Sequence, residues 1–122
     1  MDPNVKVLER RVFYPGDRVF REGDSGSCAY IIQDGAIEIT KKVIDKNIVL
    51  GVVTKGGIFG EMALVDNSPR MASAHATKQT AVILVPARTF QEKLAKTDPF
   101  IRALLSIFVK NIRAMTKKNL EG

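Results

Sequence analysis

Glu61 and Arg70 are the residues of this sequence whose types and spacing most clearly favour a binding function. They lie nine positions apart in GEMALVDNSPRMASA, where the glutamate follows a glycine and the arginine follows a proline. The guanidinium fork of an arginine matches the oxygens of a phosphate. A carboxylate beside a phosphate is repulsive unless it accepts a hydrogen bond, and a sugar hydroxyl is a suitable donor. The pair therefore points to a phosphorylated sugar.

The backbone at the start of this segment offers a second kind of anion-binding group. A glycine precedes a short helix-prone stretch, and the first amides of a helix have no intrahelical acceptor. The amides concerned are those of Gly60, Glu61, Met62 and Ala63. The competing interpretation is a surface ion pair between Glu61 and Arg70, which the spacing alone also permits.

The composition is that of a single globular domain. The chain has 122 residues, of which 45% are hydrophobic and 26% are charged, enough for one compact core. We therefore predict one domain over residues 1–122. No apolar run is long enough for a membrane span, and the first residues lack the apolar region of a secretory signal. We expect a cytoplasmic protein that does not insert into membranes.

Metal and cofactor chemistry is not expected from this sequence. Cys28 is the only cysteine and His75 the only histidine, which leaves no ligand set for zinc or for an enzyme of the cupin type. We interpret His75 as a strand residue rather than a catalytic base, and Cys28 as a strand residue that fills space.

The formal net charge of +6 is concentrated near the C-terminus. From Lys96 onward the sequence has six basic residues and two acidic ones. We interpret this excess as a solvated helix face in preference to a nucleic-acid or membrane patch, so no nucleic-acid partner is expected.

Short segments rich in Val, Ile and Tyr recur between Gly, Asp and Asn residues, a pattern typical of an antiparallel sandwich or barrel. The segments are RVFY, CAYIIQ, AIEITKKVI, NIVLGVV and TAVILV. Asp34-Gly35 predicts a hairpin turn because glycine accepts a positive φ, and Lys55 to Gly57 predicts another turn. We predict a mainly β fold with flanking helices: an antiparallel β-barrel or jelly roll over about residues 10–86.

The pattern changes after Val85, where two C-terminal helices are predicted over about residues 87–119. PARTFQEKLAKTDP indicates a short helix with Phe90 and Leu94 on one face, ending near Asp98-Pro99. A long helix follows, with Asp98 as its N-cap and Pro99 at its first position.

The long helix carries one apolar stripe whose members step by four, three, four and three. They are Ile101, Leu105, Phe108, Ile112 and Met115. This spacing fits packing onto the chain's own barrel and fits equally a seam between two copies of the helix in a homodimer.

The segment FGEMALVDNSPRMASA closely resembles the phosphate-binding cassette of the cyclic nucleotide-binding domain family. That family includes regulatory subunits of cyclic AMP-dependent protein kinase, cyclic nucleotide-gated channels and the catabolite activator protein. YPGDRVFREGDSGSCAYIIQDGAIEI, from Tyr14 to Ile39, is similar to the family's opening strands. Phe90, Leu94 and Pro99 fall where its two C-terminal helices begin, so the resemblance covers nearly the whole chain.

The resemblance implies a role for each residue of the cassette. The carboxylate of Glu61 would accept a hydrogen bond from the ribose 2′-hydroxyl, and Arg70 would pair with the cyclic phosphate. Amides of the short helix would complete the phosphate site, and aliphatic strand residues with the last helix would hold the base. The implied ligand-binding residues are Phe59, Gly60, Glu61, Met62, Ala63, Arg70, Met71 and Ala72, with Asn111 and Arg113 as candidate lid contacts.

Met71 is a departure from the pattern of the family. Many members have Ser, Thr or Ala directly after the arginine, and a hydroxyl there often contacts the phosphate or guanine. Because a methionine has no hydroxyl, we expect cyclic AMP to be favoured over cyclic GMP.

The implied function is regulatory: the chain binds a cyclic nucleotide and moves its C-terminal helix, and it is not an enzyme. Relatives that bind DNA carry a helix-turn-helix after the long helix, and the sequence ends at Gly122 without one. The alternatives are a sensor fragment of a larger transcription factor, channel or kinase, and a degenerate domain that keeps the fold without binding a ligand.

Overall fold

The computed structural model describes the backbone of residues 8–121 and the side chains of residues 8–117. Eight strands and three helices follow one another in this part of the chain. The strands are β1 (Arg10–Phe13), β2 (Arg18–Phe20), β3 (Cys28–Asp34), β4 (Ala36–Val43), β5 (Lys46–Thr54), β6 (Ile58–Phe59), β7 (Ser73–Ala76) and β8 (Thr80–Pro86). The helices are α1 (Met62–Asp66), α2 (Ala87–Ala95) and α3 (Pro99–Glu121).

The strands form two antiparallel sheets of four strands each, in the orders β1-β8-β3-β6 and β2-β7-β4-β5. The largest fully buried hydrophobic residues are Ile32 and Val82 from the first sheet and Ile37 from the second. The main core cluster contains residues of both sheets, so the core lies between them. The prediction of an antiparallel β fold followed by C-terminal helices is confirmed, although the two sheets do not close into a barrel.

The predicted hairpin at Asp34-Gly35 is wrong. Gly35 has a φ of 115°, as expected for a turn, but the strands that flank it belong to different sheets. A Cβ atom at Gly35 would lie 2.3 Å from the hydroxyl of Thr80, whose Oγ1 accepts a hydrogen bond from the Ala36 amide. The glycine therefore lets the chain cross between sheets close to β8. The hairpin of this region joins β4 and β5 at Ile44 and Asp45.

The turn predicted at Lys55 to Gly57 is confirmed. Gly56 has a φ of 86°, and the Gly57 amide donates to the carbonyl of Thr54. The predicted N-cap of the long helix is confirmed as well, because the Phe100 amide donates to Oδ1 of Asp98 at 2.8 Å. The short helix ends at Ala95, three residues before the boundary that the sequence predicted.

The apolar stripe of α3 does not pack onto the sheets. All five of its members are exposed, from 37% for Leu105 to 61% for Met115. The helix instead turns Val109, which is 6% exposed, toward the domain, and Arg113 on the same side reaches α1. Among the described residues, no helix has the length and apolar character that crossing a membrane requires.

Candidate functional site

The eight predicted ligand-binding residues line one cavity of about 200 Å³. Arg113 also lines this cavity, whereas Asn111, the other predicted lid residue, is exposed and lies outside the lining. Four further lining residues were not predicted from the sequence. They are Phe20, Ile39, Val53 and Ile58.

Gly60 connects β6 to α1 and gives the cavity its sharp inner turn. Its φ is 81°, which residues with a side chain rarely adopt. A Cβ atom there would lie 2.7 Å from one terminal nitrogen of Arg70. The glycine is therefore required both by the backbone and by the space that the guanidinium occupies. By helix geometry, the amides that open α1, those of Met62 and Ala63, have no acceptor within the helix.

Hydrogen bonds hold both the main chain and the side chain of Arg70. Its amide donates to the carbonyl of Asp24, and its carbonyl accepts from the amide of Gly23, both at 2.8 Å. The loop between β2 and β3 therefore holds the end of the cassette. Arg70 is only 5% exposed, and its terminal nitrogens donate to the carbonyls of Gly60 and Cys28, each at 2.6 Å.

The positive charge of Arg70 has no carboxylate partner among the described residues. The surface ion pair with Glu61 that the sequence also allowed is not formed. Burial lowers the pKa of Arg70, and its Nε atom is buried without a hydrogen-bond partner in the described part of the chain. A buried cation without a carboxylate at ion-pair distance attracts an anion strongly.

Glu61 lies at the N-terminal end of α1 and lines the same cavity. Burial raises the pKa of its carboxyl, while its own backbone amide and the charge of Arg70 oppose that change. The carboxylate is therefore placed where a hydroxyl donor would compensate for the water it has lost.

Met71 and Ala72 form the wall that follows Arg70. The carbonyl of Met71 accepts a hydrogen bond from Nζ of Lys41 at 2.8 Å, and Ala72 is 4% exposed. Lys41 also pairs with Glu22 at 3.1 Å, so β4 and the start of the β2–β3 loop both support this wall.

Both C-terminal helices are attached to α1. Arg113 of α3 binds Asp66 through two nitrogens, at 2.6 and 3.1 Å, and donates to the Pro69 carbonyl at 3.3 Å. From α2, the side-chain amide of Gln91 donates to the carbonyl of Leu64. The short helix of the cassette is thus held from outside by two side chains distant in sequence.

His75 and Cys28, which the sequence did not assign to the site, make contacts that belong to the fold. Nε2 of His75 lies 3.3 Å from Oε1 of Glu38 on the second sheet, and Cys28 is buried in the core. Among the side chains of residues 8–117, no group of three or more from His, Cys, Asp or Glu lies close enough together to hold a metal ion.

Comparison with known proteins agrees with this geometry. The family model described as the cyclic nucleotide-binding domain matches residues 10–97. The chain belongs to the cyclic nucleotide-binding domain family. The resemblance noted in the cassette and in the opening strands is thereby confirmed.

Relatives of this cyclic nucleotide-binding domain include regulatory proteins. The chain is 35% identical over 96 residues to a cAMP-dependent protein kinase regulatory subunit of Pyricularia oryzae, covering 79% of this chain and 24% of that subunit. It is 36% identical over 91 residues to the type II regulatory subunit of Drosophila melanogaster, covering 75% of this chain and 23% of that protein. The chain thus spans about a quarter of the length of these relatives.

A solved structure of similar fold is the cAMP-bound form of the EAL enzyme Bd1971. It superposes with a TM-score of 0.87 at 31% identity, over 91% of this chain and 30% of that one. The cGMP-bound form of the same enzyme gives a TM-score of 0.84 at 32% identity, over 93% of this chain and 30% of that one.

The raised pKa of Glu61 generates a prediction about stability. Because the folded protein holds this proton more tightly than the unfolded chain, the parent loses stability as the pH rises from the unfolded to the folded pKa. Glu61→Gln removes this loss. We expect the variant to equal or exceed the parent in free energy of unfolding at about pH 7, with the difference shrinking toward about pH 4.

Denaturant unfolding at several pH values measures this difference. Asp45→Asn serves as the control, because it removes the same formal charge from an exposed side chain. A Glu61→Gln variant that is less stable than the parent, increasingly so as the pH rises, would contradict the assignment of burial as the dominant effect.

Proposed function

We propose that this domain is a sensor that binds a cyclic nucleotide in the cavity beside α1 and performs no chemistry on it. The observation that carries the proposal is the buried guanidinium of Arg70, which faces the cavity without a carboxylate partner among the described residues. The names of the relatives support a cyclic nucleotide as the ligand, since two solved neighbours contain cAMP or cGMP. None of the described residues that line the cavity carries a hydroxyl, thiol or imidazole side chain, which supports binding without catalysis.

The polar groups of the cassette that line the cavity have partners in such a ligand. Arg70 binds the cyclic phosphate by a charge-assisted contact, and the amides of Met62 and Ala63 donate to its oxygens. Glu61 accepts from the ribose 2′-hydroxyl, which compensates its desolvated carboxylate. Glu61 and Arg70 therefore bind different parts of one small molecule.

The remaining wall favours adenine over guanine. The strands contribute Ile39, Val53 and Ile58, and Met71 follows Arg70 without a hydroxyl. No Ser, Thr, Asn or Gln lies among the described residues that line the cavity. A guanine edge without polar partners in such a wall loses more hydrogen bonds to water than an adenine edge does. This loss weakens the binding of guanine relative to adenine. We propose cAMP as the preferred ligand, with a modest margin.

The proposal is tested by calorimetric titration of the domain with cAMP and with cGMP. We expect both to bind and cAMP to bind at least as tightly. Arg70→Ala should weaken cAMP binding by about ten- to a hundredfold or more, since a charged hydrogen bond contributes roughly 1.5–3 kcal/mol. Arg70→Lys should recover only part of this loss, because a lysine lacks the planar fork.

A second ligand controls for general damage to the site. Glu61→Gln should weaken cAMP binding while leaving the affinity for 2′-deoxy cyclic AMP nearly unchanged, because that ligand lacks the hydroxyl that Glu61 would hold. Absence of binding by the folded parent protein would instead assign the chain to a degenerate domain. Undiminished binding by Arg70→Ala would remove Arg70 from the phosphate site.

The output of the sensor is a displacement of α3. Arg113 lines the cavity and binds Asp66 at the end of α1, so a ligand that draws α1 toward its phosphate acts on a helix to which α3 is tied. We propose that this ion pair transmits ligand binding to α3, with the ligand favouring one of two positions of the helix.

Amide hydrogen exchange over residues 99–117 tests this output. Saturating cAMP should slow exchange in α3 of the parent. Asp66→Asn should make the bound state exchange roughly three- to tenfold faster, as expected for loss of a partly buried ion pair of about 0.7–1.4 kcal/mol. Arg88→Gln, which breaks an exposed pair within α2, is the control. Identical exchange with and without cAMP would refute the displacement.

The exposed stripe of α3 supports a homodimer as a further part of the proposal. Ile101, Leu105, Phe108 and Ile112 are all at least 37% exposed, and heptad spacing lets two copies of one helix interlock. Exposed apolar patches of this kind are typical of interaction sites.

Sedimentation equilibrium at several protein concentrations measures the association. Phe108→Asp should shift the protein to the monomer mass, because it introduces an unpaired charge into the seam. Ser106→Asp adds the same charge at an exposed position of the helix outside the stripe and should leave the mass unchanged. A parent protein that is monomeric at all concentrations would exclude the dimer.

A further inference from the structure

The ring of Phe20 supports the guanidinium of Arg70 from one side. The Cζ atom of Arg70 lies 4.1 Å from the centre of this ring. A cation within about 6 Å of an aromatic face is attracted by the electron density of the ring, and the planar guanidinium can also stack on it. Phe20 ends β2, fifty residues before Arg70 in the chain, and was not a predicted site residue.

The other contacts of Arg70 leave this face to the ring. Its two terminal nitrogens are used by the carbonyls of Gly60 and Cys28, and both are contacts at the edge of the guanidinium. Nε has no hydrogen-bond partner among the described residues. The edge contacts fix where the group lies, and the ring covers one flat side of it.

Phe20 is itself held firmly. Its ring centre lies 6.0 Å from those of both Tyr30 and Phe59, which stack on each other at 4.9 Å. On the backbone side, the pairing of β2 with β7 shifts register between Arg18 and Phe20, and Phe20 pairs with Ala74. Irregularities of this kind change the direction of a side chain, and here the ring lines the cavity.

The space around the two groups is adapted to their contact. A Cβ atom at Gly60 would lie 2.7 Å from a terminal nitrogen of Arg70 and 3.3 Å from the Phe20 ring. Any side chain at Gly60 would therefore push against both members of the contact. The glycine of the cassette thus preserves the stacking of Arg70 on Phe20 as well as the turn.

We propose that Phe20 is a positioning residue for the anion site: its ring fixes the plane of the Arg70 guanidinium before a ligand binds. A phosphate then meets an arginine that is already ordered, so binding does not have to restrict that long side chain. The inference rests on the proposed function, and it adds a specific role for a residue outside the cassette.

Phe20→Leu tests the role, with Phe13→Leu as a matched control. Both phenylalanines pack against the same core cluster, but only Phe20 has a ring contact with Arg70 among the described residues. We expect Phe20→Leu to weaken cAMP binding about three- to thirtyfold, the range of a cation–π contact. Phe13→Leu should lower the melting temperature similarly and leave the affinity within about twofold of the parent. Phe20→Tyr, which keeps a ring, should restore most of the affinity.

A double-mutant cycle separates support of Arg70 from direct contact with the base. In an Arg70→Gln background, which removes both the charge and the guanidinium, the added cost of Phe20→Leu should be clearly smaller than in the parent. If Phe20 acts on the purine, the cost is the same in both backgrounds, and the inference is wrong. Equal weakening by Phe20→Leu and Phe13→Leu would also overturn it.

Nuclear magnetic resonance of the ligand-free protein gives a readout independent of binding. Protons above an aromatic face are shifted upfield by the ring current, so the side-chain NH signal of Arg70 should move downfield in Phe20→Leu and stay in place in Phe13→Leu. A signal that does not move in Phe20→Leu would refute the contact, even if the parent protein binds no cyclic nucleotide and the proposed function fails.

Discussion

The buried charge of Arg70, which has no ion-pair partner among the described residues, is the constraint on which the rest of this domain depends. Moving an ion out of water costs several kcal/mol unless its surroundings compensate for the lost hydration. Here the compensation at contact distance comes from two carbonyls and one aromatic ring, while the carboxylates of Asp24 and Glu61 act on the charge from beyond ion-pair distance. An anion in the cavity would therefore add to the compensation of this charge. The neighbouring backbone is shaped around this group: a Cβ atom at Gly26 would lie 3.2 Å from Cζ of Arg70 and 2.7 Å from the side chain of Ala63.

Two sequence motifs whose contacting residues lie more than forty positions apart form one structural unit around that charge. The Gly23-Asp24 turn, which belongs to the opening motif, exchanges two backbone hydrogen bonds with Arg70. The same loop leads into Cys28, whose carbonyl accepts from the guanidinium. The opening motif therefore contributes to the site as well as to the sheets. It supplies the main-chain hydrogen bonds of Arg70 and one acceptor for its guanidinium.

The short helix α1 joins the site to the C-terminal helices. A helix of five residues is too short to be stable by itself, so its position is set by the groups that contact it. One end faces the cavity, and the other is tied to Gln91 of α2 and Arg113 of α3. The ligand side and the helix side therefore act on the same small element, which is a physical basis for coupling between them. Under the proposed function, a change in the position of α1 would move α3 and with it the exposed apolar stripe.

The sequence by itself determined the features whose causes are local. Turn residues, a cap and a contiguous motif predict the family, the antiparallel strands, the capped start of α3 and the placement of eight residues between Phe59 and Ala72 around one cavity. Only the tertiary structure decided that Gly35 crosses between sheets, that Phe20 lies against Arg70 and that Arg113 binds Asp66, because these contacts join residues between 44 and 50 positions apart. The tertiary structure also decided that the stripe of α3 is exposed, because periodicity shows which side of a helix is apolar but not what covers that side.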